Sequence, residues 1–410
     1  MGEILDKPRI AFAVRTIGGL LAFLIVGSLL ASCGAVGGRT AVPLGLEDGA
    51  QVAGMQAETI RFWGDELPPN TAAFRAKRAA QLTRSRPEFR GGGRRPVTNS
   101  LALSGGGPLG AYGAGVLSGW TVAGTRPKFD VVTGVSAGAL SAPFAFLGPK
   151  YDHALKHVFT QSHTNNVAVL TPLKGLLGGT AMGSNAPLAK LIAYYVTPAF
   201  LAEVAAEHRK GRRLLIGTTN LDAQRPVIWD MGEIASSGRP DSVELFREVL
   251  LASAAIPAAF PPSFIKVTAE GYTYEEMHVD GGTTRSVFLA PTQLTLSGTD
   301  AALGVKPIRR FYVIVNGYVT PQYDDVKPRT LDIAGRAVST LLKNQGVGDL
   351  YRLYAFCKRN GIDYNLGYIP ADVQDTSTAP FDPVFMTELY NVGYRMARQG
   401  YPWQKQPPEL

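Results

Sequence analysis

Ser136 lies in "VVTGVSAGAL" (131–140), between Gly134 and Gly138, where an apolar run of β character gives way to a helix-like one. A serine held in such a turn sits at a helix N-terminus, where unpaired N–H groups and the positive end of the helix dipole favour an anion. That is the local context of a nucleophile elbow, and the sharpness of the turn calls for small residues on both sides. The pentad also arises as a plain tight turn in a chain with 46 glycines, so the serine needs partners before it has a role.

Two further glycine turns offer them. "SGGGPLG" places Gly105, Gly106, Gly107 and Gly110 after a β-type run and ahead of a helix. Taken alone it is a Gly-x-Gly-x-x-Gly, with Asp130 standing 20 residues beyond Gly110 as in a dinucleotide fingerprint. The ribose-binding acid of that fingerprint ends the second strand, however, whereas Asp130 begins it. No Lys-Ser or Lys-Thr follows the last glycine, which removes a Walker-type phosphate loop. The third turn, "HVDGG", ends a β-type run on Asp280 and bends at Gly281 and Gly282. Its carboxylate either caps its own turn or acts on a neighbour.

A serine nucleophile needs a base. His153, His157, His163, His208 and His278 all precede Asp280, which excludes the Ser–acid–His order of α/β-hydrolases. His278 shares a strand face with Asp280 and stays a minor candidate; the other four lie in polar stretches and are expected on the surface. No pair has metal-ligand spacing, so no metal is expected and no organic cofactor is implied.

These turns require a scaffold of alternating elements. β-type runs occupy 97–104, 129–134, 212–221, 225–231, 274–282 and 308–317, with helix candidates near 187–208, 242–254, 330–345, 349–359 and 382–398. Two more helices follow the first two glycine turns. Strands alternating with helices predict an α/β three-layer sandwich around a mostly parallel sheet, with functional groups at the carboxyl ends of the strands. Residues 97–400 are expected to form this one domain.

Together, "SGGGPLGAYGAGVL", "FDVVTGVSAGAL" and "HVDGG" resemble the motifs of patatin-like phospholipases, in the same order. "ASAAIPAAFPP" (252–262) resembles the segment that family carries between nucleophile and aspartate. The resemblance spans about residues 97–320. It implies a Ser–Asp dyad without histidine: Ser136 as nucleophile, Asp280 as its base, and N–H groups of Gly105, Gly106 and Gly107 facing the oxyanion. Gly110, Gly134, Gly138, Gly281 and Gly282 complete the motif glycines. Pro108 and Leu109 stand where members often carry a basic residue, which takes away the charge that a phosphate contact there would use.

The N-terminus reads separately. Lys7, Arg9 and Arg15 precede an apolar run from Ile17 to Ala31 that is shorter than the roughly 20 residues needed to span a bilayer. Leu30, Ala31, Ser32 and Cys33 resemble a bacterial lipobox. That resemblance implies a signal peptide over 1–32, lipidation of Cys33 and, with Gly34 rather than Asp following, the outer membrane; an uncleaved signal anchor is the alternative. Residues 33–96 are expected as a tether and basic leader. Cys357, the other cysteine, is left without a partner and is expected in the core.

Eight Lys or Arg residues against the single acid Glu88 fill 75–95 of a chain whose net charge is +8. Such a patch suits nucleic acid, anionic lipid or plain solvation. Export behind a lipid anchor favours lipid, so no nucleic-acid partner is expected. The resulting expectation is a lipid acyl hydrolase of the phospholipase A, lysophospholipase or esterase type, acting on membrane phospholipid or another lipid ester. A non-catalytic binding scaffold and an acyltransferase are the alternatives.

Overall fold

The computed structural model describes residues 39–52, 54–55, 60–68, 70–90, 93–161, 169–170, 181 and 183–408. The expected signal peptide over 1–32, Cys33 and His163 lie outside the described residues. The strands of the main sheet are β1 (Gln51–Val52), β2 (Arg61–Trp63), β3 (Val97–Leu103), β4 (Val131–Val135) and β5 (Arg213–Asn220). They continue with β6 (Arg225–Asp230), β7 (Ser263–Ala269), β8 (Tyr272–Asp280), β9 (Ile308–Val315) and β10 (Asp363–Tyr368). The helices are α1 (Thr71–Ser85), α2 (Gly110–Val122), α3 (Ala137–Leu147), α4 (Asp152–Thr160), α5 (Ala186–Tyr195) and α6 (Pro198–Arg209). After them come α7 (Met231–Ser236), α8 (Ser242–Ser253), α9 (Ser297–Leu303), α10 (Thr330–Asn360) and α11 (Pro383–Arg398).

The centre of the sheet is parallel, in the order β5-β4-β3-β9-β10, with helices on both faces. Strands buried on both sides are apolar at successive positions, and each face takes alternate residues. Leu101 and Leu103 of β3 join Tyr112 and Val116 of α2 on one face, while Ala102 meets Leu350 and Phe356 of α10 on the other. Beyond β5 the sheet turns antiparallel through β6, β8 and β7, of which β6 and β8 are the expected β-type runs over 225–231 and 274–282. β7 and β10 match no expected run, while the candidate helix over 187–208 breaks at Thr197, whose side chain caps α6, and Pro198. The candidates over 330–345 and 349–359 are one helix, α10. Among the described residues no single helix is long and apolar enough to cross a membrane.

The expected boundary at residue 96 is corrected. Val52 pairs with Val267, and Phe62 with Ile228, so residues ahead of 97 belong to the sheet. Strands of two and three residues carry no detectable period, which is why the sequence hides them. At the other end Leu366 bridges to Gln404 and Tyr351 donates to the Pro408 carbonyl, so the domain runs past residue 400.

The basic leader is equally built in. Arg86 pairs with Asp130 and donates to the Val97 carbonyl, Arg78 donates to the Gly211 carbonyl, and Arg95 to that of Lys306. Lys77 pairs with Glu233 at 2.6 Å. Asp130, Gly211 and Lys306 precede β4, β5 and β9, Val97 opens β3 and Glu233 lies in α7, so four of the eight basic side chains brace the amino-terminal edge of the parallel strands. Asp130, which also accepts from the Asn99 N–H, is a structural ion-pair partner there.

α2 and α11 pack backbone to backbone. A Cβ on Gly115 would stand 2.0 Å from the Tyr390 carbonyl oxygen, and one on Gly119 would stand 2.2 Å from that of Tyr394. Gly115→Ala therefore forces two rigid backbones apart. We expect a loss of about 1–3 kcal/mol or more, the usual cost of overpacking, read as a lower urea midpoint.

Candidate active site

Register brings the second and third glycine turns together. β6 occupies one edge of β5 along residues 215–220, so both strands that pair on the other edge must share it. β4 takes the first part, ending with Val135 opposite Gly217. β8 arrives from the opposite direction and ends with Asp280 opposite Thr218. The carboxyl ends of β4 and β8 thus meet tip to tip, and Ser136, one residue past Val135, emerges against Asp280.

Ser136 has φ 54° and ψ −125°, a left-handed conformation that costs a non-glycine residue energy and aims its side chain out of the strand. The turn is as tight as its glycines suggest. A Cβ on Gly134 would stand 2.4 Å from the Gly138 carbonyl oxygen, and one on Gly138 would stand 2.2 Å from that of Leu103. Gly110 and Gly281 are likewise crowded, by Phe159 and by the Gly217 carbonyl.

The segment after α8 grips both candidate residues by their main chain. The Ser253 hydroxyl accepts from the Ser136 N–H at 3.0 Å and donates to the Gly217 carbonyl at 2.6 Å. Two residues later, the Ala255 carbonyl accepts from the Asp280 N–H at 2.9 Å. Sequence reasoning marked this stretch by resemblance alone and assigned no residue in it. The available signal was a serine and small residues at the end of an amphipathic helix, which is too common to single out.

Asp280 and Ser136 are each 5% exposed, so the carboxylate has almost no water. One oxygen, Oδ1, accepts from the Gly282 N–H at 2.7 Å. The other, Oδ2, is buried without a hydrogen-bond partner among the described residues. Burial pushes the Asp280 pKa up to about 6, with the neighbouring Ser136 hydroxyl and the Gly282 N–H pulling the other way. The hydroxyl is close enough to act on the carboxyl, but no closed hydrogen bond links the two side chains, an arrangement usual in unliganded sites.

The first glycine turn lies alongside. A Cβ on Gly105 would stand 3.2 Å from the Ser136 Cβ. The expected set of three N–H donors needs a correction, because the Gly105 N–H already donates to the Ser286 carbonyl at 3.1 Å. The N–H groups of Gly106 and Gly107 have no acceptor among the described residues. Asn316, just past β9, holds this loop: its N–H donates to Ser104 Oγ, its side-chain amide to the Ser104 carbonyl, and its Oδ1 accepts from the Gly113 N–H. A Cβ on Gly106 would fall 1.9 Å from the Asn316 carbonyl oxygen, so the loop admits only glycine there. Ser286 is positioned in turn by Asp349 of α10, which accepts its N–H.

The histidines lie elsewhere. His278 is fully buried, accepting from Thr218 at Nδ1 and donating to Glu276 at Nε2, because Trp229 already donates to the Thr218 hydroxyl and turns its proton toward the ring. Glu276 also pairs with Arg61. His278 is therefore held in a structural network and makes no hydrogen bond to Ser136. His153 and His157 are exposed as expected, but His208 is not: it is 1% exposed, with Nδ1 3.5 Å from Asp230 and Nε2 3.3 Å from Glu233. The polar run around it masks a helix face that packs on α7. Its two ring nitrogens face different carboxylates, and Arg213 and Lys77 already neutralise them, so the trio reads as an ion-pair cluster rather than a metal-ligand set. Cys357 is buried as expected, its thiol pushed up to about 12 by burial.

Ser253→Ala leaves the Ser136 N–H and the Gly217 carbonyl buried and unpaired. We expect a loss of about 1–3 kcal/mol per group left unsatisfied, seen as a lower urea midpoint. Ser141→Ala, whose hydroxyl bonds only within α3, should cost clearly less.

Residues 101–292 match the family of patatin-like phospholipases. A comparison with curated protein sequences found no match. Among solved structures, VipD from Legionella pneumophila aligns with a TM-score of 0.37 and 11% identity, over 74% of this chain and 67% of that one. Human GIVD cytosolic phospholipase A2 aligns with a TM-score of 0.34 and 8% identity, over 79% of this chain and 56% of that one. Likenesses this distant carry no weight for substrate or mechanism. The family match covers all three glycine turns, Ser136 and Asp280, and the chain accordingly contains a patatin-like phospholipase domain spanning residues 101–292.

Proposed function

We propose that this protein is a serine lipid acyl hydrolase that works through a Ser136–Asp280 pair and an acyl-enzyme. The observation that carries the proposal is the meeting of a strained serine with a buried carboxylate whose pKa is pushed up to about 6. A carboxylate of ordinary pKa is too weak a base for a serine hydroxyl; burial strengthens it, and an anion site lowers the demand by stabilising the charge that develops. In the first step Ser136 Oγ attacks the ester carbonyl carbon while Asp280 takes the hydroxyl proton. The N–H groups of Gly106 and Gly107 hold the tetrahedral oxyanion, each donor of this kind typically contributing about 3–4 kcal/mol. Collapse expels the alcohol, which leaves with the proton from Asp280. Water then attacks the acyl-enzyme with Asp280 again as base, and the fatty acid departs as Ser136 recovers its proton.

An apolar cavity supports an acyl chain as the bound group. It is lined by Leu140 and Phe144 of α3, Val158 of α4, Ile192 of α5, Phe200 of α6 and Leu250 of α8. The Leu140 N–H bonds to the Ser136 carbonyl, so the cavity wall begins one helical turn from the nucleophile. We further propose that the chain is exported and anchored to the outer membrane through Cys33, which would hold the enzyme on a lipid substrate.

Two measurements test the reading. A fluorophosphonate probe should label the wild-type protein and leave Ser136→Ala unlabelled; no label on folded wild-type protein would favour the scaffold alternative. Asp280 must be ionised to act, and raising its pKa moves the loss of activity upward in pH. The kcat/KM for a p-nitrophenyl ester should therefore fall about tenfold per pH unit below about pH 6. A plateau extending to pH 4 would contradict a buried base.

A further inference from the structure

α10 is amphipathic in its first four turns and is mounted with its apolar side outward. Ile333, Ala337 and Leu341 form one row along the helix, with Ala334, Val338 and Leu342 beside it. The opposite arc carries Asp332, Arg336, Ser339 and Lys343. Ordinarily the apolar arc would face the core. Here Arg336 and Lys343 turn inward, donating to the backbone carbonyls of Gln322 and Thr320. The apolar side chains are left in water: Ile333 is 54% exposed, Val338 53% and Leu341 71%.

Position makes this arc more than a loose end. From Asp349 onward α10 is buried on the sheet through Leu350, Leu353, Phe356 and Cys357, and it ends beside the start of β10. It therefore runs antiparallel to the central strands. Its 31 residues extend about 46 Å, against roughly 26 Å for an eight-residue strand. The exposed half thus overshoots the carboxyl edge of the sheet, the edge that carries Ser136. It leaves the body at Gly346, where a Cβ would stand 3.3 Å from Ser286 Oγ, and Ser286 holds Gly105 of the first glycine turn.

A second feature addresses the same side. The first described residue, Arg39, pairs with Asp222 and donates to the Glu275 carbonyl, just beyond the end of β5 at Asn220. The six residues from Gly34 to Arg39 reach at most about 20 Å. A lipid on Cys33 would therefore fall on the edge past which α10 projects.

We infer that the first half of α10 is a membrane-docking helix, laying Ile333, Val338 and Leu341 into the interface of a lipid bilayer beside the candidate active site. An amphipathic helix with its apolar arc free is the form that binds such interfaces, with the polar arc turned away from the acyl chains. The bilayer as partner rests on the lipid-hydrolase reading and the proposed anchor, so its primary test does not depend on activity.

The test uses the full chain with Cys33→Ser, carrying either Leu341→Cys or Ser339→Cys labelled with an environment-sensitive dye; Cys357 is buried and stays unlabelled. Vesicles of phosphatidylethanolamine and phosphatidylglycerol should blue-shift the dye at 341, and nitroxide-bearing lipids should quench it there at least threefold more than at 339. Equal responses at both positions, or none, would overturn the inference. So would a shift at 341 that depends on protein concentration without vesicles, which would make a second copy the occupant. In a second assay, Ile333→Ser, Val338→Ser and Leu341→Ser combined should lower hydrolysis of vesicle phospholipid at least tenfold while changing p-nitrophenyl butyrate hydrolysis less than twofold. Docking at 341 without hydrolysis of either substrate would count against the hydrolase reading and leave the docking helix standing.

Discussion

The candidate site depends on one constraint, the sharing of a single edge of β5 by β4 and β8. Because β6 covers the other edge, β4 and β8 have no alternative but to meet end to end, with Val135 opposite Gly217 and Asp280 opposite Thr218. A one-residue slip in either strand would move Ser136 or Asp280 by about 3.4 Å and turn its side chain to the other face of the sheet. The buried network through Arg61, Glu276, His278, Thr218 and Trp229 spans β2, β8, β5 and β6 and fixes this register. Ser253 and Ala255 then hold the two strand tips by their main-chain N–H groups. The histidine that looked like a candidate base is part of the frame that positions the aspartate.

That frame also sets the chemistry. A carboxylate deprived of water, whose Oδ2 has no hydrogen-bond partner among the described residues, is unstable as an anion, and the same instability makes it a better proton acceptor. The strained backbone of Ser136 is tolerated because a clamped strand end, a crowded glycine turn and the Ser253 hydroxyl leave it no relaxed alternative. Stability is given up at one point and supplied by the packing around it, notably the close α2–α11 contact and the ion pairs bracing the opposite edge of the sheet.

Much of this was legible in the sequence wherever a feature is local. Gly134, Gly138, Gly281 and the loop from Gly105 to Gly107 announce tight backbone by residue type, and β3, β4, β5 and β9 announce themselves as apolar runs. Features made by pairing at a distance were hidden. β1 and β2 are too short for a period, and the commitment of the Gly105 N–H to Ser286 depends on a residue 181 positions later. His208 reads as a surface residue because its neighbours in sequence are polar, while its neighbours in space are Asp230, Glu233 and α7. The basic leader shows its charge in the sequence, but its partners, the carbonyls and carboxylates at the amino-terminal edge, appear only in the fold. α10 is the converse case: a helical period that is plain in the sequence is mounted with its apolar side facing solvent.

The central claim is that Asp280, and no histidine, activates Ser136. The most direct measurement is the rate of acyl-enzyme formation from a p-nitrophenyl ester in Asp280→Asn and His278→Ala, each checked for an unchanged fold. A positioned general base typically contributes 10²–10⁴-fold, so Asp280→Asn should slow acylation by roughly that factor. His278→Ala should acylate at a rate close to wild type once corrected for any unfolded fraction. Rapid acylation by Asp280→Asn together with its loss in folded His278→Ala would contradict the account.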